Sequence, residues 1–224
     1  MLHRAWRYRL RTELDEIRHL RALDLRGATA IDIGANTGVY SYWLLKQVGR
    51  AGRVVAFEPQ PELLEHLGRL KASLHADNLE LIGTGLSSAP GTVTLRRAAD
   101  HPGGASIARG DDYGDSGVEI ELATLDDAFP DRSRGRVGFI KCDVEGHEHE
   151  VIRGGMALLE RDRPVLMVEC HDALVRETPL FGDLASIGYD AFFFHERRKT
   201  PMARWDELRP SIPAPYLNYI FEPA

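Results

Sequence analysis

Short apolar segments alternate with longer amphipathic segments from residue 29 onward. The strand-like "TAIDIG" and "GRVVAFEP" are each followed by a segment of helical period, "NTGVYSYWLLKQVG" and "PELLEHLGRLKASL", and a third strand-like segment, "NLELIGTGLS", comes next. Gly49 suits a helix C-cap and Pro61 a first helical turn. Successive strand–helix–strand units pack as a parallel sheet with right-handed crossovers. The order therefore predicts an α/β fold, with helices on both faces of a mostly parallel sheet.

The alternation is interrupted between residues 92 and 123. "GTVTLRR" and "GVEIELA" have the period of half-exposed strands, whereas the segment between them is rich in Gly and Asp and has no period. We predict a hairpin-like insertion over residues 92–123, with a loop at 98–118 that covers a site. Ser106 in this loop could bind a sugar hydroxyl or simply lie in a turn.

The strand–helix order then resumes. "VGFIKCD" and "RPVLMVEC" are strand-like, and "EHEVIRGGMALLE" and "PLFGDLASIG" are helix-like. A short helix at "TLDDAF" has Thr124 as its expected N-cap. The last strands, "YDAFFFH" and "LNYIFEP", are expected to be antiparallel, because the Pro-rich "RPSIPAPY" between them shows no helical pattern. We predict a single domain over residues 27–224.

Residues 1–26 are expected to form a separate amphipathic helix, with its helical pattern over residues 3–24. One apolar stripe consists of Trp6, Leu10, Leu14, Ile17 and Leu20. The opposite face carries Arg4, Arg7, Arg11, Arg18 and Arg21. We interpret this as a solvated face on a packed helix. The alternatives are a homodimer contact and an entrance for an anionic substrate.

Composition narrows the class of protein. The chain of 224 residues has a net charge of −6 and no basic stripe through its body, so nucleic acid is not an expected partner. No apolar run is long enough for an integral membrane segment, and the charged N-terminus lacks the apolar region of a secretory signal. Cys142 and Cys170 are far apart and form no disulfide framework. We therefore expect a cytoplasmic protein.

Ligands of open parallel sheets bind beyond the carboxyl ends of the strands. The first predicted strand ends in "DIGANTG", in which Gly34 and Gly38 allow backbone to approach a ligand closely. Their spacing is GxxxG, so the GxGxxG fingerprint of a dinucleotide site is absent. Glu58 ends the second strand, 24 positions after Gly34, where an acid accepts hydrogen bonds from ribose hydroxyls. Alternatively, Glu58 caps the helix that starts at Pro61.

Five segments carry a specific resemblance. "AIDIGANTGVYS", "VVAFEPQPELLEHL", "ATLDDAF", "IKCDVEGHEHEVIRGG" and "LMVECH" occur in the order typical of the FkbM family of S-adenosylmethionine-dependent methyltransferases. The chain resembles that family from about residue 29 to its C-terminus. The resemblance implies a Rossmann-like class I methyltransferase fold with a seven-stranded sheet whose last strand is antiparallel. It also implies methyl transfer from S-adenosylmethionine, most often to a hydroxyl of a sugar, glycolipid or natural product.

The resemblance also implies cofactor-binding residues at the strand ends. Around the amino-acid part of the cofactor it places Asp32, Gly34, Asn36 and Gly38. Glu58 would hold the ribose hydroxyls, and Asp143 would lie near the methionine end. Leu86 and Ser87 would contact the adenine, although "GTGLSS" departs here from the Ala-Leu-Ser-type segment common in the family.

The charged segment "CDVEGHEHE" divides into two parts. Asp143, Glu145 and His147 lie on a predicted strand-to-helix turn at the ligand end of the sheet. Glu148 and Glu150 are explained by a favourable interaction with the helix dipole and need no function. His149 is expected to face solvent, two positions from His147 and so on a different side of the helix. The HExxH zinc motif is absent.

Glu169 and His171, at the end of the next strand, are two residues apart and so lie on the same face. We expect them to meet the turn that carries Glu145 and His147, or else to serve only loop hydrogen bonds. A hydroxyl acceptor benefits from a general base. The hypothesis is that His147 or His171 is this base, and that Glu145 or Glu169 orients it or binds the substrate.

Three alternatives remain open from the residues alone. Mg²⁺ could bind Asp143, Glu169 and Asp172, but the adjacent Asp-Asn pair expected there is replaced by "ECHD", so we expect no metal. An NAD-dependent Rossmann oxidoreductase shares the glycine and acid pattern but requires GxGxxG. A catalytically inactive cofactor-binding interaction module would keep the binding residues. The expected partner is a small-molecule or carbohydrate acceptor.

Overall fold

The computed structural model describes residues 7, 12–97, 105–106, 117–214 and 216–224. The first helix, α1, spans Leu14–Ala22 and buries Ile17 and Leu20. It corresponds to the C-terminal part of the helix predicted over residues 3–24, and it ends two residues earlier than predicted, with Leu23 as its C-cap. Of positions 3–13, the structure describes only Arg7 and positions 12 and 13. The homodimer contact suggested for this helix stays a prediction.

Two sheets organise the described residues. In chain order, the strands are β1 (Thr29–Ile33), β2 (Arg53–Phe57), β3 (Leu79–Ile82), β4 (Gly85–Leu86), β5 (Gly91–Arg97), β6 (Ala105–Ser106), β7 (Gly117–Ala123), β8 (Val137–Cys142), β9 (Val165–His171), β10 (Tyr189–His195), β11 (Arg198–Pro201) and β12 (Tyr216–Pro223). The main sheet has the order β11-β10-β12-β9-β8-β1-β2-β3, and the small sheet the order β4-β7-β5-β6. In the main sheet, β3, β2, β1, β8 and β9 are parallel. The strand β12 is antiparallel to both neighbours.

The main sheet contains eight strands in the described part of the chain, so the prediction of seven was wrong by one. The additional strand, β11, forms a hairpin with β10 in which His195 pairs with Arg198. The two residues between them, Glu196 and Arg197, have φ values of 47° and 65°. A two-residue turn with left-handed backbone at both positions is normally built from Asn and Gly. Because Glu-Arg carries no such signal, the pattern gave no reason to place a turn there.

Helices cover both faces of the main sheet, as predicted. After α1 come α2 (Val39–Val48), α3 (Pro61–Leu74), α4 (Leu125–Ala128), α5 (Glu148–Arg153), α6 (Met156–Asp162), α7 (Asp172–Glu177), α8 (Leu180–Ser186) and α9 (Trp205–Leu208). One buried apolar cluster joins the sheet to α1, α2 and α3, and a second joins its other face to α4 through α9. Neighbouring strand residues alternate between them, so that Ala30 belongs to the first cluster and Ile31 to the second.

The segment "EHEVIRGGMALLE" forms two helices, α5 and α6, where a single helix was predicted. The break falls at Gly154 and Gly155. A Cβ on Gly154 would lie 2.0 Å from the carbonyl oxygen of Ser87. The backbone at Gly154 therefore approaches the backbone at Ser87 more closely than a residue with a Cβ would allow. The unpredicted helix α7 follows β9 directly, and the ring nitrogen Nδ1 of His171 caps it by accepting a hydrogen bond from the Ala173 amide at 3.2 Å.

The insertion is built on β5 and β7, which pair antiparallel from Gly91 opposite Leu122 to Arg96 opposite Gly117. Residues 98–104 and 107–116, most of the predicted loop, lie outside the described residues, as does the side chain of Ser106. The division of the chain into residues 1–26 and 27–224 stays a prediction. No helix in the described ranges combines the length and the apolar character needed to cross a membrane.

Candidate active site

A cavity opens at the carboxyl ends of β1, β2 and β8. Of the residues predicted from the sequence, its wall contains Gly34, Asn36, Glu58, Leu86, Asp143, Glu145 and His147. Of the residues that were not predicted, it contains Phe57, Pro59, Gln60, Thr84, Gly85 and Leu95, the last from the insertion. The predicted residues Asp32, Gly38, Ser87, Glu169 and His171 do not line it.

The floor of this cavity is a contact between two loops. Gly34 has φ of +74°, and a Cβ on it would lie 1.9 Å from the carbonyl oxygen of Asp143. The Asp143 amide donates a 3.0 Å hydrogen bond to the carbonyl of Ile33. Any side chain at position 34 would therefore separate the end of β1 from the end of β8.

Glu58 joins the ends of β1 and β2. Its carboxylate accepts hydrogen bonds from the amides of Asn36 at 2.8 Å and Gln60 at 3.1 Å. The side chain is buried, and burial raises the pKa of Glu58 although both hydrogen bonds oppose the shift. The bond to Gln60 supports part of the capping alternative, since Gln60 is the residue before α3. The bond to Asn36 reaches a different loop, so capping alone does not account for Glu58.

Two predicted cofactor residues stand behind the cavity wall. Asp32 is buried in β1 and accepts a hydrogen bond from the hydroxyl of Ser41 on α2. Burial raises the pKa of Asp32 to about 6. Gly38 has φ of 79° and is the N-cap of α2, and glycine adopts this left-handed backbone without strain. Both shape the loop between β1 and α2, which carries Gly34 and Asn36.

His147 connects the cavity to the end of β4. Its Nε2 lies 3.0 Å from the hydroxyl of Ser87, whose amide in turn donates to the carbonyl of Ala123 on β7. Burial lowers the pKa of His147, so the ring is uncharged at neutral pH. An uncharged ring can accept a proton or a hydrogen bond from a ligand in the cavity.

Glu148 has a role that the sequence did not reveal. It is buried, and its Oε1 accepts hydrogen bonds from the amides of Val144 and Gly146, both at 3.1 Å. The loop it holds is strained, with Glu145 at φ of 56° and Gly146 at 98°. Burial raises the pKa of Glu148 to about 7. The explanation of Glu148 by the helix dipole alone was therefore wrong, because its carboxylate shapes the cavity loop.

His149, expected to face solvent, is largely covered and lies with Nε2 3.0 Å from a carboxylate oxygen of Asp183 on α8. That expectation was wrong, because α8 packs beside α5. His171 caps α7 and packs edge-on against the ring of Tyr216 at 5.2 Å. The structure thus does not bring His171 to the cavity that His147 lines. Its catalytic role stays a prediction.

A buried lysine lies beside the cavity. Lys141, on β8, has an exposed fraction of 1%, and its Nζ is 3.5 Å from Asp143 Oδ2 and 3.9 Å from Glu169 Oε2. The ring of Tyr40 lies 5.1 Å from the same nitrogen. Burial opposes the charge, but the carboxylates of Asp143, Glu169 and Glu13 more than offset this and raise the pKa of Lys141. A lysine is almost never fully buried unless it is paired, so Lys141 in "VGFIKCD" was a signal in the sequence.

The proposed metal ligands do not form a metal site. Asp172 accepts a 2.6 Å hydrogen bond from Nε of Arg209, and Asp143 and Glu169 face Lys141. Among the residues the structure describes, no group of three or more His, Cys, Asp and Glu side chains is arranged to hold a metal ion.

Comparison with known proteins agrees with this geometry. Residues 32–192 match the family model described as the methyltransferase FkbM domain. The methyltransferase sdnD of Sordaria araneosa is 29% identical, in a match that covers 55% of this chain and 59% of sdnD. The AMB antimetabolite synthetase AmbE of Pseudomonas aeruginosa is 29% identical, in a match that covers 65% of this chain but 8% of AmbE. The chain thus spans less than two thirds of the length of either relative.

Solved structures share the fold. A methyltransferase FkbM from Methylobacillus flagellatus superposes with a TM-score of 0.54 at 17% identity, covering 89% of this chain and 44% of that one. A putative rRNA methylase from Clostridium thermocellum gives 0.56 at 13% identity, covering 95% and 96%. The sheet order and the cavity at its carboxyl edge thus define a Rossmann-like class I methyltransferase fold. Within that class, the chain belongs to the FkbM methyltransferase family.

Proposed function

We propose that this protein transfers a methyl group from S-adenosylmethionine to a hydroxyl of a small-molecule or carbohydrate acceptor. The observation that carries the proposal is the Glu58 carboxylate on the cavity wall, tied to Asn36 across the ends of β1 and β2. An acid at the end of the second strand is suited to the two hydroxyls of a ribose. The absence of GxGxxG disfavours the dinucleotide alternative.

The residues present fit this cofactor. Glu58 would hold the ribose, and Leu86, buried on the same wall, would provide an apolar surface for the adenine. Because Gly34 has no side chain and contacts the backbone of Asp143, only backbone atoms would lie beneath the amino-acid part of the cofactor. When bound, the cofactor supplies a methyl group already activated on a sulfonium, so the protein contributes mainly position.

Methylation of a hydroxyl also releases a proton, which a side chain of the protein can accept. As the acceptor oxygen gains the methyl group it loses its hydrogen, and the electron pair of the broken carbon–sulfur bond stays on sulfur. Two groups on the cavity wall can act as general base: the uncharged ring of His147 and the carboxylate of Asp143.

The acceptor class is supported by chemistry rather than by the fold. The likeness to a putative rRNA methylase rests on 13% identity and concerns architecture, and a net charge of −6 is unfavourable for RNA. The relative AmbE is described as an antimetabolite synthetase, which is consistent with a small natural product as acceptor.

The cofactor is tested by isothermal titration calorimetry with S-adenosylhomocysteine and, separately, NAD. We expect S-adenosylhomocysteine to bind and NAD not to. Glu58→Ala should weaken binding by about 10- to 100-fold, since a ribose contact and two backbone hydrogen bonds are lost. Glu65→Ala, on the exposed surface of α3, is the matched control and should bind as the parent does. Binding of NAD alone would contradict the proposal.

The reaction is tested with labelled S-adenosylmethionine and a panel of sugars, hydroxylated natural products and RNA. Label should be recovered as a methyl ether in one of the first two groups. Exclusive labelling of RNA would replace the proposed acceptor class while leaving the family assignment intact.

A further inference from the structure

Lys141 lies directly behind the part of the cavity wall that Asp143 forms. Along β8, Phe139 packs in the apolar cluster on the side of α1 and α2, whereas Ile140 and Cys142 pack on the opposite side. Side chains two positions apart on a strand share a face, so Lys141 extends toward α1 and α2. Its side chain is 1% exposed and does not line the cavity. A molecule in the cavity therefore does not touch the ammonium.

The ammonium of Lys141 holds the end of β8 at two points. Its Nζ donates a 3.5 Å hydrogen bond to the carbonyl oxygen of Cys142 and lies 3.5 Å from Asp143 Oδ2. A carboxylate oxygen of the neighbouring strand, Glu169 Oε2, is 3.9 Å away. Asp143 is thus fixed both through its own carboxylate and through the peptide unit that precedes it.

The far side of the lysine is closed by α2, α1 and β12. The ring of Tyr40, on α2, lies 5.1 Å from Nζ, and its hydroxyl donates to the carboxylate of Glu13, the N-cap of α1. Nδ2 of Asn218, on β12, donates to the same carboxylate at 3.4 Å. Because these groups are bonded to one another, they restrict Lys141 to the strand end.

Asp143 is the partner of Lys141 that meets the cavity. It lines the wall, and its side chain is 35% exposed. A carboxylate with that exposure can be solvated by water in more than one rotamer. A fixed cation behind the wall limits this choice, because the attraction between opposite charges is strong where water is excluded.

We propose that Lys141 is a positioning residue that holds the Asp143 carboxylate at the cavity wall for the charged amino-acid end of the cofactor. This inference rests on the proposed function, in which Asp143 lies near the methionine part of S-adenosylmethionine. Lys141 acts through Asp143 and does not contact the ligand. Its loss should therefore matter only for ligands that carry the amino-acid end, and only while the Asp143 carboxylate is present.

Isothermal titration calorimetry with two ligands tests the first condition. S-adenosylhomocysteine contains adenosine and the amino-acid end, whereas methylthioadenosine contains the adenosine alone. Lys141→Met should weaken binding of S-adenosylhomocysteine by about 10-fold or more, equivalent to about 1.4 kcal/mol, and leave the Kd for methylthioadenosine within about twofold of the parent. Lys141→Arg should recover part of the loss, because the positive charge is kept. A general loss of packing would weaken both ligands alike.

Lys46→Met is the matched control for this substitution. The ammonium of Lys46 also faces a tyrosine ring, that of Tyr42 at 5.6 Å, but Lys46 does not line the cavity. Both ligands should bind this variant as they bind the parent protein.

A double-mutant cycle tests the second condition. Asp143→Asn alone should weaken binding of S-adenosylhomocysteine by a factor similar to that of Lys141→Met. The variant with both substitutions should bind within about twofold of Asp143→Asn, since the lysine then has no carboxylate to position at the wall. Two independent effects would instead multiply, and that result would overturn the inference.

Nuclear magnetic resonance tests the ion pair with the lysine in place, and so does not depend on the folding of Lys141→Met. All four lysines of the chain lie in the described residues, and Lys141 alone is buried. Its ammonium should give a slowly exchanging nitrogen-correlated signal in the parent protein. The signal should shift or disappear in Asp143→Asn and stay unchanged in Asp77→Asn, an exposed carboxylate between α3 and β3. Absence of the signal from the parent, or an identical signal in Asp143→Asn, would overturn the inference.

The proposed function and the role of Lys141 fail in different ways. If S-adenosylhomocysteine does not bind the parent protein, the proposed function fails. The role of Lys141 alone is overturned if the parent binds this ligand and the folded Lys141→Met binds it equally well or more tightly. It is also overturned if the folded variant loses affinity for both ligands by the same factor.

Discussion

Glu148 provides a quantitative test of how the cavity loop is held. Its Oε1 is the acceptor for two backbone amides, those of Val144 and Gly146, in a loop with left-handed backbone. A hydrogen bond to a charged group contributes about 1.5–3 kcal/mol, and an orphaned amide costs about 1–3 kcal/mol. We expect Glu148→Ala to weaken S-adenosylhomocysteine binding by about 10- to 100-fold, because about 1.4–2.8 kcal/mol must be spent on ordering the loop before the ligand binds.

The conservative variant distinguishes loop positioning from a general loss of packing. Glu148→Gln keeps an oxygen acceptor in place, so binding should remain within about fivefold of the parent, or about 1 kcal/mol. Glu160→Ala, on the exposed side of α6, is the matched control and should have no effect.

Calorimetry gives the affinities, and amide hydrogen exchange gives the cause. In Glu148→Ala, the amides of Val144 and Gly146 should exchange faster, while the amides in the centre of β8 keep their protection. If Glu148→Ala binds S-adenosylhomocysteine as Glu160→Ala does, with unchanged exchange in the loop, Glu148 does not position it.

Three further predictions concern stability and the base. Gly34→Ala should lower the free energy of unfolding by more than about 2 kcal/mol, because its Cβ would clash with Asp143 at a positive φ; Gly182→Ala, with open space around it, should be neutral or stabilising in the same thermal melts. Because burial raises the pKa of Glu148 from 4.5 to about 7, the folded state binds the proton more tightly, and this group's contribution to stability falls as pH rises from about 4.5 to 7. Urea unfolding should show that loss, about 3 kcal/mol, in the parent but not in Glu148→Gln. His147→Ala should weaken S-adenosylhomocysteine binding several-fold through its lost bond to Ser87, yet keep substantial kcat; complete loss of turnover with intact binding would make His147 the base.

The sequence predicted the parts of the molecule that local rules determine. The strand and helix order, the glycines after β1 and the acid after β2 depend on periodicity and backbone conformation, which are properties of neighbouring residues. The Thr124 cap was confirmed in the same way, because its hydroxyl accepts from the Asp127 amide three residues later.

What the sequence did not reveal depends on residues distant in the chain. His149 meets Asp183 only because α5 and α8 pack together. Glu148 turns back on its own loop because its side chain is buried beneath it, and periodicity does not specify such a direction. Of the carboxylates around Lys141, Asp143 is two positions away, but Glu169 comes from β9 and Glu13 lies 128 positions earlier in the chain, so no local pattern joins all three to the lysine.

The hairpin that adds β11 also determines how the main sheet ends. An outermost strand exposes unpaired backbone groups that can recruit a strand from another molecule. The strand β11 is short, carries Arg198 and Lys199, and closes with Pro201, which has no amide hydrogen to donate. At the other end, β3 has four residues, with Glu80 held between two arginines. Both ends of the sheet therefore discourage edge-to-edge aggregation, a property that matters when the protein is concentrated for crystallisation or calorimetry.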